Sequence, residues 1–307
     1  MTRAAANKTG PEVAARAAGA LEDSDGLRVP TLSCLIVTTP RSGSWLLSSG
    51  LHDTELAGQP EEYFRPDVIP VWTAEWGIPR RGPYREYVRH AMDYSTSDNG
   101  VFGAKLHWYQ YQWLIRTMRA LEGGAGTALG GQSDPRADLD FLATFIPNPR
   151  FVHLVRRDKI RQAMSYFRAG RTGVWFVTEE DVADMARRPQ GPQPAPRPLS
   201  DREWQHLRFL ENLVIAHERN WRNFFDETGI EPLEIIYEEF IEDFNGTVGA
   251  VLEFLGVGTR ADAASLSPRL FKQGDEVSEA WVEEYLVRRD SIEPKPMQRP
   301  RRPGVVR

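Results

Sequence analysis

Apolar positions recur along the chain in two rhythms. Short runs that are apolar almost throughout, at 32–38, 101–106, 150–155 and 233–237, predict strands buried on both faces. Between them, apolar residues return every three or four positions. These stretches predict helices at 44–54, 84–94, 108–121, 137–145, 158–169, 201–227, 243–255 and 277–289. The clearest is 201–227, where Leu207, Leu210, Leu213, Val214, Trp221 and Phe224 share a face and Ser200 with Glu203 forms a capping box. Asp158 is placed to cap the helix after the third strand. Strands alternating with helices predict an α/β fold around a central, mainly parallel sheet, with helices in a layer on either side.

Three stretches break the rhythm. Residues 122–134 read as a Gly-rich surface loop. Residues 187–198 carry Pro189, Pro192, Pro194, Pro196 and Pro198, which excludes helix or central strand and predicts a linker or flap inserted in the domain. The tail 291–307 is rich in Pro and Arg and reads as a solvated, flexible basic end. Residues 1–30 read as a flexible arm: Glu12 and Arg16 interrupt its Ala-rich start, so it makes a poor signal peptide.

Composition narrows the function. A net charge of −5 argues against a nucleic-acid-coating protein, whose footprint would be basic. Cys34 is the only cysteine among 307 residues, so no intramolecular disulfide or thiolate zinc site can form. No run approaches the ~18 apolar residues of a transmembrane span. The expectation is a cytoplasmic protein without a metal.

The chemistry concentrates where the first strand meets its helix, at Thr38-Thr39-Pro40-Arg41-Ser42-Gly43-Ser44-Trp45. Strand, tight loop and helix build an anion cradle, in which loop amides and the positive end of the helix dipole converge. A nucleoside-triphosphate loop would carry Lys after its second Gly. Here Ser44 holds that place and the cation, Arg41, precedes Gly43. The loop is P-loop-like and suits a phosphate other than that of a triphosphate. Arg156 closes the third strand and Ser165 lies in the next helix. Parallel strands share one carboxyl edge, so Arg156 should open onto the same crevice and, with Ser165, offer a second phosphate site. Taken alone, an Arg at a strand end is more often a surface salt bridge.

With both motifs in place, residues 32–290 resemble the sulfotransferases that use 3′-phosphoadenosine 5′-phosphosulfate (PAPS), above all the bacterial trehalose 2-sulfotransferase-like group. Arg41-Ser42-Gly43-Ser44 resembles that group's phosphosulfate loop, with Trp45 where a Thr is usual. Gly58-Gln59-Pro60-Glu61-Glu62-Tyr63-Phe64 resembles the segment around its catalytic carboxylate. Gly103-Ala104-Lys105-Leu106-x-Trp108 and the run from Arg156 to Ser165 resemble later blocks, and Tyr237 and Lys272-Gln273-Gly274-Asp275 its C-terminal PAPS contacts. The resemblance implies a transferase domain over 31–290, PAPS as sulfuryl donor, no metal, a small hydroxyl-bearing acceptor and, since the group includes dimers, a homodimer.

Two residues compete for the proton of the acceptor hydroxyl. Glu62 matches the family's base, and burial would have to raise its pKa to make it effective. His107 follows Lys105 in a Lys-x-His stretch like that of animal cytosolic sulfotransferases, and its ordinary pKa suits the task. Arg41 and Lys105 are expected to assist the leaving group. Gln59, Tyr63, Trp108 and Trp175 are expected, with Glu62 and His107, to line the acceptor pocket. Two other readings remain open: an inactive nucleotide-binding protein of the same fold, and a P-loop kinase, which the missing Lys disfavours.

Overall fold

The structure, a computed structural model, describes residues 21–79, 83–121, 134–175, 197–258 and 276–292. The Gly-rich loop at 122–133, most of the Pro-rich insertion, Lys272, Gln273 and the basic tail from 293 lie outside the described residues. The described chain falls into two units, one of residues 1–157 with 213–270 and one of 158–212 with 271–307.

The first unit holds the sheet. Strands β3 (Leu32–Thr38), β4 (Val101–His107), β5 (Pro149–Val155) and β6 (Leu233–Ile236) are all parallel, in the order β4-β3-β5-β6. β3 is central and buried over nearly its whole length. Its side chains alternate between two apolar cores: Leu35 and Val37 enter one, Cys34 and Ile36 the other. Helices α3 (Tyr84–Ser95) and α4 (Trp108–Leu121) pack into the first core with Trp221, Phe224 and Phe225. Helix α1 (Ser44–Thr54) packs into the second through Leu46, Leu47 and Leu51. Two cores on opposite faces make the three-layer α/β/α arrangement expected from the strand and helix rhythm. Burial also pushes the Cys34 thiol up to about 12, so it behaves as a small apolar side chain.

The sequence reading places most elements within a few residues and misses four. Residues 21–29, left in the arm, form an antiparallel hairpin of β1 (Leu21–Glu22) and β2 (Arg28–Val29). Arg89 of α3 pairs with Asp23 and Asp25, and Arg28 donates from its backbone to Asp93, so ion pairs rather than an apolar pattern hold it. Helix α2 (Ile69–Glu75) buries none of its side chains fully, which hides it from a search for apolar periodicity. Tyr237, expected to end the last strand, begins a single helical turn after it, Tyr237–Phe240.

In the second unit, α6 (Lys159–Thr172) is capped by the Asp158 carboxylate, which accepts from the Arg161 amide at 2.9 Å. The capping box also forms: Ser200 N donates to Glu203 at 3.0 Å, at the start of α7 (Asp201–Thr228). The remaining described helices are α5 (Pro135–Ala143), α8 (Tyr237–Phe240) and α9 (Phe244–Leu255) of the first unit and α10 (Glu276–Ile292) of the second. Tyr285 of α10 donates to Glu211 of α7 at 2.6 Å. Among the described residues, no helix is long and apolar enough to cross a membrane.

Candidate active site

The turn from β3 into α1 is built by hydroxyls and a glycine. Thr38 Oγ1 donates to the Leu154 carbonyl at 2.7 Å, so in its 2.6 Å contact with Ser42 Oγ the serine is the donor. Ser42 is fully buried and spends its proton bracing the loop. Arg41 adopts φ 66°, a left-handed conformation that costs a residue with a side chain ~1–2 kcal/mol and is typical of functional turns. Gly43 stands at the helix N-cap with φ 89° and offers no capping side chain of its own. A Cβ on Gly43 would stand 2.5 Å from the Tyr237 ring. That requirement ties the loop to the start of α8.

Arg156, one residue past β5, completes this corner. Its guanidinium lies over the Tyr237 ring at 4.7 Å, and its Nη1 donates to the Arg41 carbonyl at 3.2 Å. Burial first, and then repulsion from Arg156, pushes the Arg41 pKa down to about 10. Two guanidiniums held together beside a helix N-terminus whose N-cap is a glycine form a place where an anion relieves both burial and repulsion. Arg41, Ser42, Gly43, Arg156 and Tyr237 are thus brought together, with Ser44 and Trp45 opening α1. Ser165 lies on α6, in the second unit.

A second cluster forms at the tip of β4, one of the sheet's two edge strands. Residues 57–61 run along it: Lys105 N donates to the Glu61 carbonyl at 2.9 Å, and Gln59 exchanges hydrogen bonds with Ser95. Their approach is so close that a Cβ on Gly58 would stand 2.4 Å from Gly103 N and 2.5 Å from Ser95 O. Glu62 is thereby delivered to Lys105 and His107, which lie two residues apart on one face of β4. Lys105 Nζ lies 3.3 Å from Glu62 Oε1, and His107 Nδ1 lies 3.7 Å from Oε2.

Two further residues, which sequence reasoning did not single out, finish the cluster. Gln110 Nε2 donates to Glu62 Oε2 at 2.8 Å while its Oε1 accepts from His107 N at 2.8 Å. Arg65 Nη1 approaches the same carboxylate oxygen at 3.5 Å. The available signal for Gln110 is a fully buried amide on the face of α4 that carries Tyr111, Leu114 and Met118.

Burial alone would raise the Glu62 pKa, but His107, Lys105, the Gln110 hydrogen bond and Arg65 outweigh it and hold the carboxyl down at about 2. The raised carboxyl that would make Glu62 a base matched to neutral pH is thus not what the fold provides. Burial pushes His107 the other way, down to about 4 against the pull of Glu62. At neutral pH the carboxylate is charged and the imidazole neutral. The two differ in access: the Glu62 side chain keeps 19% of its surface exposed, whereas both His107 ring nitrogens are sealed from solvent.

These shifts predict a pH dependence of stability. Between pH 4 and 6.5 the unfolded chain protonates His107 and the folded one does not, so acidification through this window favours unfolding by up to about 3 kcal/mol. Glu62 contributes its stabilisation above its unfolded value of 4.5 and loses it as the pH falls toward 2. Denaturant titrations across pH should show the loss, and His107→Gln should flatten the part above pH 4.5. An unaltered slope in that variant would refute the burial effect.

The remaining pocket expectations separate. Tyr63 is fully buried, with its hydroxyl donating to the Gln59 carbonyl at 2.8 Å, and so serves as core. Trp108 is half-buried and packs edge-on against Trp221 at 4.9 Å. Gln59 is held through its backbone by Ser95. Trp175 is exposed in the second unit, tilted against Tyr166 at 5.9 Å.

Comparison with known proteins bears on this geometry. The family model described as Stf0 sulphotransferase matches residues 33–290. A trehalose 2-sulfotransferase of Mycolicibacterium smegmatis is 28% identical over 284 residues, 84% of this chain and 94% of the relative. One of Mycobacterium tuberculosis is 28% identical over 275 residues, 82% and 93% of the two chains. A sulfotransferase crystal structure from Alicyclobacillus acidocaldarius aligns at 15% identity and TM-score 0.42, covering 86% of this chain and 95% of that one.

Proposed function

The chain belongs to the Stf0 sulfotransferase family, and on that premise we propose that it transfers the sulfuryl group of PAPS to a hydroxyl of a small carbohydrate, with Glu62 accepting the proton. The observation that carries the choice of Glu62 over His107 is access, since only the carboxylate has surface open to an acceptor. The carbohydrate reading is supported by the two mycobacterial relatives, whose names specify trehalose. The transferase assignment spans residues 31–290, and a cytoplasmic homodimer belongs to the same reading.

PAPS supplies an activated sulfuryl group on a phosphate leaving group. Arg41 and the first-turn amides of α1 bind and neutralise that phosphate, and Arg156 beside them holds the nucleotide's second phosphate. As the acceptor oxygen bonds to sulfur, the sulfur–oxygen bond to the phosphate breaks and its electron pair stays on the phosphate. Glu62 takes the acceptor's proton, leaving a sulfate ester and 3′-phosphoadenosine 5′-phosphate (PAP). The low pKa of Glu62 is no obstacle, because a hydroxyl bonded to sulfur becomes far more acidic than a carboxylic acid. Lys105 keeps Glu62 ionised and oriented, and Gln110 fixes the same oxygen from the other side. No step calls on a metal.

Nucleotide binding tests this reading. PAP and PAPS should each raise the melting temperature, and ATP with magnesium should not. Arg41→Ala and Arg156→Ala should each weaken PAP binding by about 10–100-fold, the worth of one charge-assisted hydrogen bond. No thermal shift from PAP at millimolar concentration would overturn the assignment of the donor site.

A further inference from the structure

Helix α7 buries a stripe through Val214, Trp221 and Phe224, and His217 interrupts it at the same helical spacing. The His217 ring is tilted against that of Tyr109, with centroids 6.5 Å apart, and the Tyr109 centroid lies 6.0 Å from that of His107. Two imidazoles therefore neighbour one phenol ring near Glu62, close enough to act on one another. Gln110 Nε2, which holds Glu62, also donates to the Tyr109 hydroxyl at 3.2 Å.

Three nitrogens in this group are buried and make no hydrogen bond: Nδ1 and Nε2 of His107, and Nδ1 of His217. A buried polar atom without a partner bears its full desolvation penalty, and three around one ring are unusual in a folded protein. Burial holds both imidazoles below the ordinary histidine range, so each carries one N–H donor and one bare nitrogen acceptor. A sugar hydroxyl offers the matching pair. Tyr109 is 38% exposed and forms the outer wall of the group.

We propose that His217, with His107, is an acceptor-binding residue, forming a subsite for a second hydroxyl of a polyol when the Tyr109 ring turns aside. The proposal rests on the reading of Glu62 as the group that meets the reacting hydroxyl. A phenol spends its single hydroxyl on Glu62 and leaves both imidazoles unsatisfied. A polyol places one hydroxyl on Glu62 and a neighbouring one between the rings. The subsite therefore selects polyols over phenols, a preference that the exposed aromatic side chains alone do not provide.

The test is calorimetric titration of trehalose, maltose and glucose into the full chain saturated with PAP. His217→Ala should weaken sugar binding by about tenfold or more, the worth of one buried hydrogen bond, with PAP affinity and melting temperature unchanged. His217→Asn, which keeps a donor and an acceptor, should recover most of the loss. Sugar binding unaltered in His217→Ala overturns this inference and leaves the transferase reading standing. Loss of PAP affinity in His217→Ala overturns it too, because the residue then supports the fold. A wild-type protein that binds PAP but none of the three sugars refutes the carbohydrate reading, and the subsite falls with it.

Discussion

Glu62→Gln is expected to lower the turnover number by about 10²–10⁴-fold, the usual worth of a positioned proton acceptor, while PAP affinity stays near that of the wild type. The substitution preserves shape and leaves an oxygen that can still accept from Gln110. It removes the charge that faces Lys105 and the site that takes the proton. Among the described residues Lys105 then retains Glu61 as its one carboxylate, 4.0 Å away, so PAP affinity must be measured alongside turnover to exclude a displaced strand tip. Turnover at the wild-type rate would show that Glu62 is not the acceptor. The role would then pass to His107, with a rotation of Tyr109 to give it access.

The second large effect is expected at a residue that touches no substrate. Gly58→Ala introduces a Cβ 2.4 Å from the Gly103 amide nitrogen and 2.5 Å from the Ser95 carbonyl, and at φ +72°. Both neighbours are backbone, one of them inside β4, so neither can turn aside as a side chain would. The left-handed conformation alone costs ~1–2 kcal/mol, and relieving the overlap adds to it. The segment 57–61 must lift from the strand, carrying Glu62 away from Lys105. A displacement of about 1 Å at a reacting group is worth on the order of 10²-fold in rate. The melting temperature should fall by several degrees and turnover should fall further than the folded fraction accounts for. A variant that melts and turns over like the wild type would refute the close packing of this segment on β4.

The parts of the site legible in sequence are those written in consecutive residues. The loop at 38–45 shows its purpose through order alone: apolar strand, Pro, Arg, Ser, Gly, then helix. The parallel sheet follows from its rhythm, and parallel strands bring Arg156 to that loop without further information. What stayed hidden depends on residues far apart in the chain. Gln110 reaches Glu62 across 48 positions, and its place on the apolar face of α4 marks it as buried without saying what it binds. His217 reads as a break in an apolar stripe until Tyr109 and His107 lie beside it.

The Glu62 pKa is the instructive reversal. Burial is the influence that could match Glu62 to neutral pH, and it does push the pKa up. The cationic and polar groups gathered by the fold, Lys105 and Gln110 among them, outweigh it. The consequence is a proton acceptor that stays ionised throughout the physiological range. Its activity should therefore show no loss attributable to Glu62 as the pH falls from 8 to 5.

The central claim is that the geometry around Arg41 and Glu62 serves sulfuryl transfer to a sugar. The most direct measurement supplies radiolabelled PAPS with trehalose, maltose and glucose, and follows the label by chromatography in wild-type and Glu62→Gln protein. The account predicts label in a sugar sulfate with the wild type and a loss of about 10²-fold or more in the variant. Label that stays in PAPS, or appears as free sulfate at the same rate with and without sugar, would contradict it.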